Sequence, residues 1–421
     1  MVGMTGLQAP PIVVDDFPVQ RRSLRVAVVT ETYPPEVNGV ARTIACVVEG
    51  LRERQHEVQL IRPQQTAAEP RGEQASDDLR FHEVLMRGLP IPRYPHLRMG
   101  LTSKKNLLSL WARRRPDVVH IATEGPMGWS ALQAAVQLKL PVCSDFRTNF
   151  HAYSKHYGMG WLHKPIMAYL RKFHNLTQCT MTPDPGLRDQ LSACGFRNVV
   201  LVSRGVDTQL FDPAKRSEAL RQSWGLGPND LAVLHVGRLA PEKNLGALLT
   251  AFEALRQRQP RARLVMVGDG PSRKDHQARC PEAILAGMQH GEALAQHYAS
   301  GDLFIFPSQT ETFGNVTLEA LASGLPVLAY NYAAAAQWVQ DGYNGGLAPL
   351  GDLPLLVAGA VRLTHDPAAL HAMRQAARDT ALRASWGQVI DAIEGIYQGL
   401  DPHLAPSPGR AAPQRPAVLA P

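Results

Sequence analysis

Only five cysteines stand in the 421 residues, at Cys46, Cys143, Cys179, Cys194 and Cys280, odd in number and with no C-x-x-C spacing. That scarcity excludes a disulfide framework and a thiolate zinc site, and reads as reduced, mostly buried thiols. No apolar run approaches 18 residues, and no basic segment leads into an apolar one at the N-terminus. Neither a membrane span nor a secretory leader is therefore expected, and a cytoplasmic location follows. G-x-G-x-x-G is missing after both apolar runs that would need it, RVAVVT at 25–30 and LAVLHV at 231–236. Its absence counts against a nicotinamide or flavin enzyme. No D-x-D follows a strand and no His/Asp cluster has ligand spacing, so neither a metal nor another cofactor is expected.

What is present is an ordinary globular composition, 45% apolar and 19% charged, in a chain too long for one hydrophobic core. The formal charge of +7 is uneven: residues 1–205 hold 26 Lys+Arg against 17 Asp+Glu, and residues 206–421 hold 18 against 20. A basic first half attracts anionic lipid headgroups or phosphorylated acceptors, and opens peripheral contact with the inner membrane face. Nucleic acid is not expected, because none of its recognition motifs is present.

Short apolar runs alternate with longer helical patterns: RVAVVT, a helix from about Gly39 to Arg54, EVQLI at 57–61, DVVHI at 117–121 and PVCSD at 141–145. The rhythm restarts with LAVLHVGR, a helix from about Asn244 to Arg258, RLVMVG at 263–268, DLFIFP at 302–307 and PVLAY at 326–330. This alternation predicts an α/β protein of two doubly wound, Rossmann-like domains facing across a cleft. The boundaries read as a flexible tail at 1–22, a first domain at 23–203, a linker at 204–212 and a second domain at 213–384. A helix at 385–400 crosses back to the first domain, and a disordered Pro/Ala-rich tail occupies 401–421. HYGMGWLHKPIMAYLRKFH (156–174) has the period of an amphipathic helix with basic edges, for which core packing is the commoner explanation and membrane contact the other.

Chemistry concentrates where strands end. In PSQTETFGNVTLEALASGLPVLAY (307–330), Glu311 lies in a loop and Glu319 eight positions later in a helical run, with Phe313, Gly314, Asn315 and Val316 at the helix start. Free N–H groups and the positive dipole end there suit a diphosphate, and the carboxylates suit sugar hydroxyls. An isolated pair of glutamates at this spacing is more often solvated surface charge. HVGRLAPEKN (235–244) changes the balance, because it sets Arg238 and Lys243 at a strand-to-helix junction where two cations can neutralise a diphosphate leaving group. VGDGP (267–271) adds a tight turn in which Gly268 and Gly270 permit close backbone approach and Asp269 can accept a hydrogen bond. In the first half, TETYPPEVNGVART (30–43) puts Asn38 and Gly39 at the start of the first helix, within reach of donor phosphates across the cleft.

Taken in order, TETYPPEVNGV, HVGRLAPEKN, VGDGP and ETFGNVTLEALASGLPV resemble glycosyltransferase family 4, and the resemblance covers both domains. The opening motif is similar to the branch holding GDP-mannose-dependent α-mannosyltransferases and the sulfoquinovosyl- and glucosyl-diacylglycerol synthases. The resemblance implies a GT-B fold and a retaining, metal-independent transfer of a hexose from a GDP- or UDP-sugar to a lipid or glycan acceptor. It implies that Arg238 and Lys243 hold the diphosphate, Glu311 contacts the donor sugar, Glu319 binds the ribose and Gly39 lines the phosphate.

The chain departs from the family in one place: SDFRTNFHAYSKHY carries Arg147 where many relatives have a histidine near the reacting sugar. Arg147 is then a candidate contact to donor or anionic acceptor, and His151 or His156 the substitute imidazole. His120, at the end of DVVHI, is a further acceptor-side candidate, although a lone strand-end histidine is more often scaffold. Two other classes would use the same motifs, a GT-B nucleotide-sugar epimerase and a non-catalytic nucleotide-sugar-binding protein.

Overall fold

The computed structural model describes residues 22–36, 38–66, 69–74, 78–91, 94–146, 163–311 and 313–400. The first half is built on β1 (Arg25–Val29), β2 (Glu57–Pro63), β3 (Gly72–Glu73), β4 (Phe81–Ile91), β5 (Tyr94–Leu101), β6 (Val118–Ile121), β7 (Val142–Asp145), β8 (Cys179–Thr182) and β9 (Val199–Leu201). They form one sheet in the order β3-β4-β2-β1-β6-β7-β8-β9, with β5 added antiparallel on β4. The second sheet contains β10 (Ala232–Val236), β11 (Arg263–Val267), β12 (Ile284–Gly287), β13 (Leu303–Phe306), β14 (Val327–Tyr330) and β15 (Gly345–Ala348), all parallel, in the order β12-β11-β10-β13-β14-β15.

The central strands are short and mostly apolar because both sheet faces are covered. Along β1, Val26 and Val28 enter one core while Ala27 and Val29 enter the core on the opposite face, as a period of two requires. The strand order reverses between β1 and β6 in the first sheet and between β10 and β13 in the second. A crevice opens beyond the carboxyl ends of the strands at such a reversal. Those ends carry the segments 30–43, 122–125, 237–244 and 307–314.

Two connections join the halves. The linker pairs Val206 N–H with Ala384 C=O at 2.9 Å, and a Cβ on Gly205 would lie 2.7 Å from Trp386. The last helix, Trp386–Leu400, then lays Val389, Ile390, Ile393 and Tyr397 into the same core as Val26, Val28, Ile44 and Val47. Each fully buried side chain of this size is worth about 1.5–3 kcal/mol. Polar contacts fix its register. His56 accepts the Leu24 N–H at Nδ1 (3.0 Å) and presents Nε2 to Glu394 at 2.6 Å, while Arg54 Nε lies 3.2 Å from the other Glu394 oxygen.

The helix His163–His174 turns Leu170 and Phe173 inward, so packing accounts for its apolar period. Its expected earlier part, and Arg147, His151 and His156, lie outside the described residues. Among the described residues, no helix is long and apolar enough to cross a membrane.

Candidate active site

In the second half, β10 runs into Gly237, and the 3₁₀ turn Pro241–Lys243 precedes the helix Leu245–Arg258. β13 runs into Ser308–Glu311, and the helix Asn315–Ala322 begins after Gly314, whose φ of 89° is left-handed. These adjacent strand ends bring Lys243 and Glu311 into an ion pair, in which Ser308 Oγ also donates to Glu311 Oε1 at 2.6 Å. The Lys243 ammonium lies 5.4 Å from the centre of the Phe306 ring. Arg238, half-exposed, is paired with Glu242, a partner that sequence reasoning did not single out. The two expected diphosphate cations thus each hold a carboxylate.

The glycines of 267–271 have a more local cause than ligand approach. A Cβ on Gly268 would sit 2.0 Å from Gly237 C=O, and one on Gly270 would sit 2.3 Å from Leu239 C=O. Asp269 C=O accepts the Leu239 N–H at 2.9 Å, and Leu239 C=O accepts the Ser272 N–H at 2.9 Å. The turn therefore clasps the loop that carries Arg238. Asp269 Oδ1 accepts the Gly270 N–H at 2.8 Å within the turn itself.

Phe313, expected at the donor site, is 1% exposed and packed in the second-domain core, and its C=O takes the Ala334 N–H at 2.8 Å. An apolar ring in that position is driven inward by the strand and helix it joins. Asn315 and Val316 open the helix beside it, and Asn315 Oδ1 accepts a bond from Arg204 at 3.2 Å. Glu319, one turn further on, is buried between Tyr298 Oη (3.0 Å) and Arg42 of the first half (3.0 Å). Burial raises its pKa, and Arg42 opposes the shift.

Across the cleft, Asn38 caps the helix Gly39–Glu53 by accepting from Val40 N–H (3.1 Å) and Ala41 N–H (2.8 Å). A Cβ on Gly39 would touch Arg204 at 3.4 Å. His120, an acceptor-side candidate, takes the commoner scaffold role instead. It is fully buried, with Nδ1 2.7 Å from Tyr397 Oη of the last helix and Nε2 3.0 Å from Asp145. It is a docking point for that helix.

Two carboxylates stand at the first reversal point, Glu124, open like His120 between site and scaffold, and Glu31, which sequence reasoning missed. Glu124 faces His174 Nε2 at 3.3 Å. Glu31 Oε1 accepts the Met127 N–H at 2.9 Å, serving the start of the helix Pro126–Gln137, where Gly125 offers no side chain. Their legible signal was position, each lying two or three residues past a strand. Burial pushes the Glu31 carboxyl from the ordinary 4.5 up to about 7, against the Met127 N–H and with help from Glu124. The folded protein therefore holds this proton more tightly than the unfolded chain, so stability falls as pH rises from 4.5 to about 7 and stays lowered above it. The loss is about 3 kcal/mol at one pKa unit per 1.36 kcal/mol. Glu31→Gln is expected to remove that slope and to be the more stable protein at alkaline pH, as urea unfolding across this range will measure.

Known proteins resemble this chain over most of its length. Residues 37–210 match the family described as Glycosyltransferase Family 4, and residues 230–366 match Glycosyl transferases group 1. The chain is 35% identical to a GDP-mannose-dependent alpha-mannosyltransferase of Mycobacterium tuberculosis (strain CDC 1551 / Oshkosh), over 90% of this chain and 97% of that protein. It is 33% identical to the sulfoquinovosyl transferase SQD2 of Arabidopsis thaliana, over 71% of this chain and 60% of that one. The solved sucrose-phosphate synthase of Thermosynechococcus elongatus superposes with a TM-score of 0.69 over 89% of this chain and 98% of its own. At 17% identity that likeness is one of fold, a GT-B fold.

Proposed function

Because the chain belongs to glycosyltransferase family 4, we propose that it is a retaining, metal-independent hexosyltransferase that uses a nucleoside-diphosphate sugar. The donor lies between the strand ends of the second half and the first helix of the first half. The observation that carries this reading is the convergence of Lys243, Glu311 and the start of the helix Asn315–Ala322 on one loop mouth. Glycosyl transfer builds negative charge on the departing diphosphate. Fixed cations and an open helix N-terminus aimed at it lower the barrier. Lys243 and Arg238 supply those cations, and Glu311 takes hydroxyls of the donor sugar. Glu319 takes the ribose.

In the retaining step the acceptor hydroxyl attacks the anomeric carbon from the face the diphosphate leaves. The bond from carbon to phosphate oxygen breaks, the new glycosidic bond forms, and the hydroxyl proton passes to the leaving phosphate. No protein nucleophile is required. The 35% identity to a GDP-mannose-dependent enzyme favours GDP-mannose over a UDP-hexose. The basic first half supports a lipid or glycan acceptor bearing negative charge, met at a membrane surface.

Calorimetric titration with GDP and with UDP, in buffer containing a chelator, tests donor class and metal independence together. GDP is expected to bind and UDP to bind more weakly. Loss of binding on adding chelator would overturn metal independence, and binding of neither nucleotide would overturn the donor site.

A further inference from the structure

Arg42 and Glu319 are 277 positions apart in sequence, on helices of different halves. Arg42 Nη1 donates to Glu319 Oε1 at 3.0 Å, and its guanidinium lies 5.8 Å from the centre of the Phe211 ring. The other carboxylate oxygen is held by Tyr298 Oη at 3.0 Å. Four positions before Glu319, on the same helix face, Asn315 receives Arg204, whose guanidinium lies 5.6 Å from the Phe313 ring. Two arginines outside the second sheet thus grip one face of the helix whose start opens the donor site.

A carboxylate oxygen has two acceptor directions. One bond each from Arg42 and Tyr298 therefore orients Glu319 without exhausting it, and leaves acceptor positions for a pair of vicinal hydroxyls. Glu319 itself is buried, while the Arg42 side chain is half-exposed.

We propose that Arg42 is a positioning residue for the donor. Reaching across the cleft, it sets the Glu319 carboxylate for the ribose hydroxyls, and so makes approach of the two halves a condition of tight nucleotide binding. This rests on the reading of Glu319 as the ribose partner.

The test compares GDP with 2′,3′-dideoxy-GDP by calorimetry on wild type, Arg42→Met, Arg42→Lys and Glu319→Gln. A charge-assisted bond is worth about tenfold in affinity. Arg42→Met is expected to weaken GDP about tenfold and to leave the dideoxy analogue unchanged. Arg42→Lys should recover part of the loss, and Glu319→Gln should match Arg42→Met. Equal weakening of both nucleotides in Arg42→Met, or no weakening of either, would overturn the proposal. If wild type itself binds the two nucleotides equally, the ribose assignment of Glu319 fails first. If wild type discriminates and Glu319→Gln does not, the assignment stands and only the role of Arg42 remains at issue between the two Arg42 variants.

Discussion

Lys243→Ala is expected to lower kcat for sugar transfer by about 10²–10³-fold, the loss typical when one preorganised donor to a developing oxyanion is removed. The ammonium is held in a fixed place by three neighbours: Glu311, Ser308 through that same carboxylate, and the Phe306 ring beneath it. Little reorganisation is then needed when charge leaves with the diphosphate. Removing the ammonium also leaves Glu311 without its cation, at a side-chain exposure of 15%. Glu311→Gln separates the two effects. It keeps the shape and removes the charge, so it should weaken turnover through sugar orientation while nucleoside diphosphate alone binds as in wild type. Steady-state kinetics with donor and acceptor varied, beside calorimetry with the nucleoside diphosphate, distinguishes these outcomes. A Lys243→Ala enzyme with wild-type kcat would remove the lysine from the reaction.

The second large effect concerns stability. Glu394→Ala is expected to destabilise the protein by about 1–3 kcal/mol, because it leaves the buried His56 Nε2–H without its acceptor. Glu394 is 4% exposed and His56 1%, and Arg54 closes the group at 3.2 Å. Glu394→Leu is the informative companion, since it fills the volume that alanine leaves empty. Part of the loss should return in it, with the unpartnered His56 Nε2–H accounting for the rest, since Arg54 keeps Asp391 at 3.0 Å. Chemical denaturation, read separately by a probe in each half, will show whether the first half loosens before the second. A change below 1 kcal/mol in Glu394→Ala would mean that apolar contacts alone dock the helix.

Much of the architecture was legible because it is local. Val26 to Val29 is an unbroken apolar run and Leu231 to Val236 one broken only by His235, each followed by a glycine or polar turn and each a strand buried on both faces. Asn38 marked the first helix through a cap that needs only its own neighbours. The hairpin of β4 and β5 was not legible, because Gly88, Pro90 and Pro95 interrupt the pattern that signals a strand. Lys243 and Glu311 could each be singled out from position after a strand. That they would meet depends on β10 and β13 being neighbours, which is topology and not sequence pattern. Arg42 stood in a quoted motif with no sign of its partner, since nothing within a turn of it predicts Glu319. His120 was open between two roles because a residue beside a strand end can turn to the cleft or to the core, and periodicity does not distinguish the two.

The last helix has a consequence for how the chain folds as it is made. The first half completes its sheet at Leu201, yet Val389, Ile390, Ile393 and Tyr397 belong to that half's core and arrive about 190 residues later. At about 5–20 residues per second, an apolar trough over Val47 and its neighbours stays open on the nascent chain for roughly 10–40 seconds. Throughout that interval the first half is the part of the protein most open to chaperone capture or to pairing with another unfinished chain. The entire second half must be synthesised before it can be sealed.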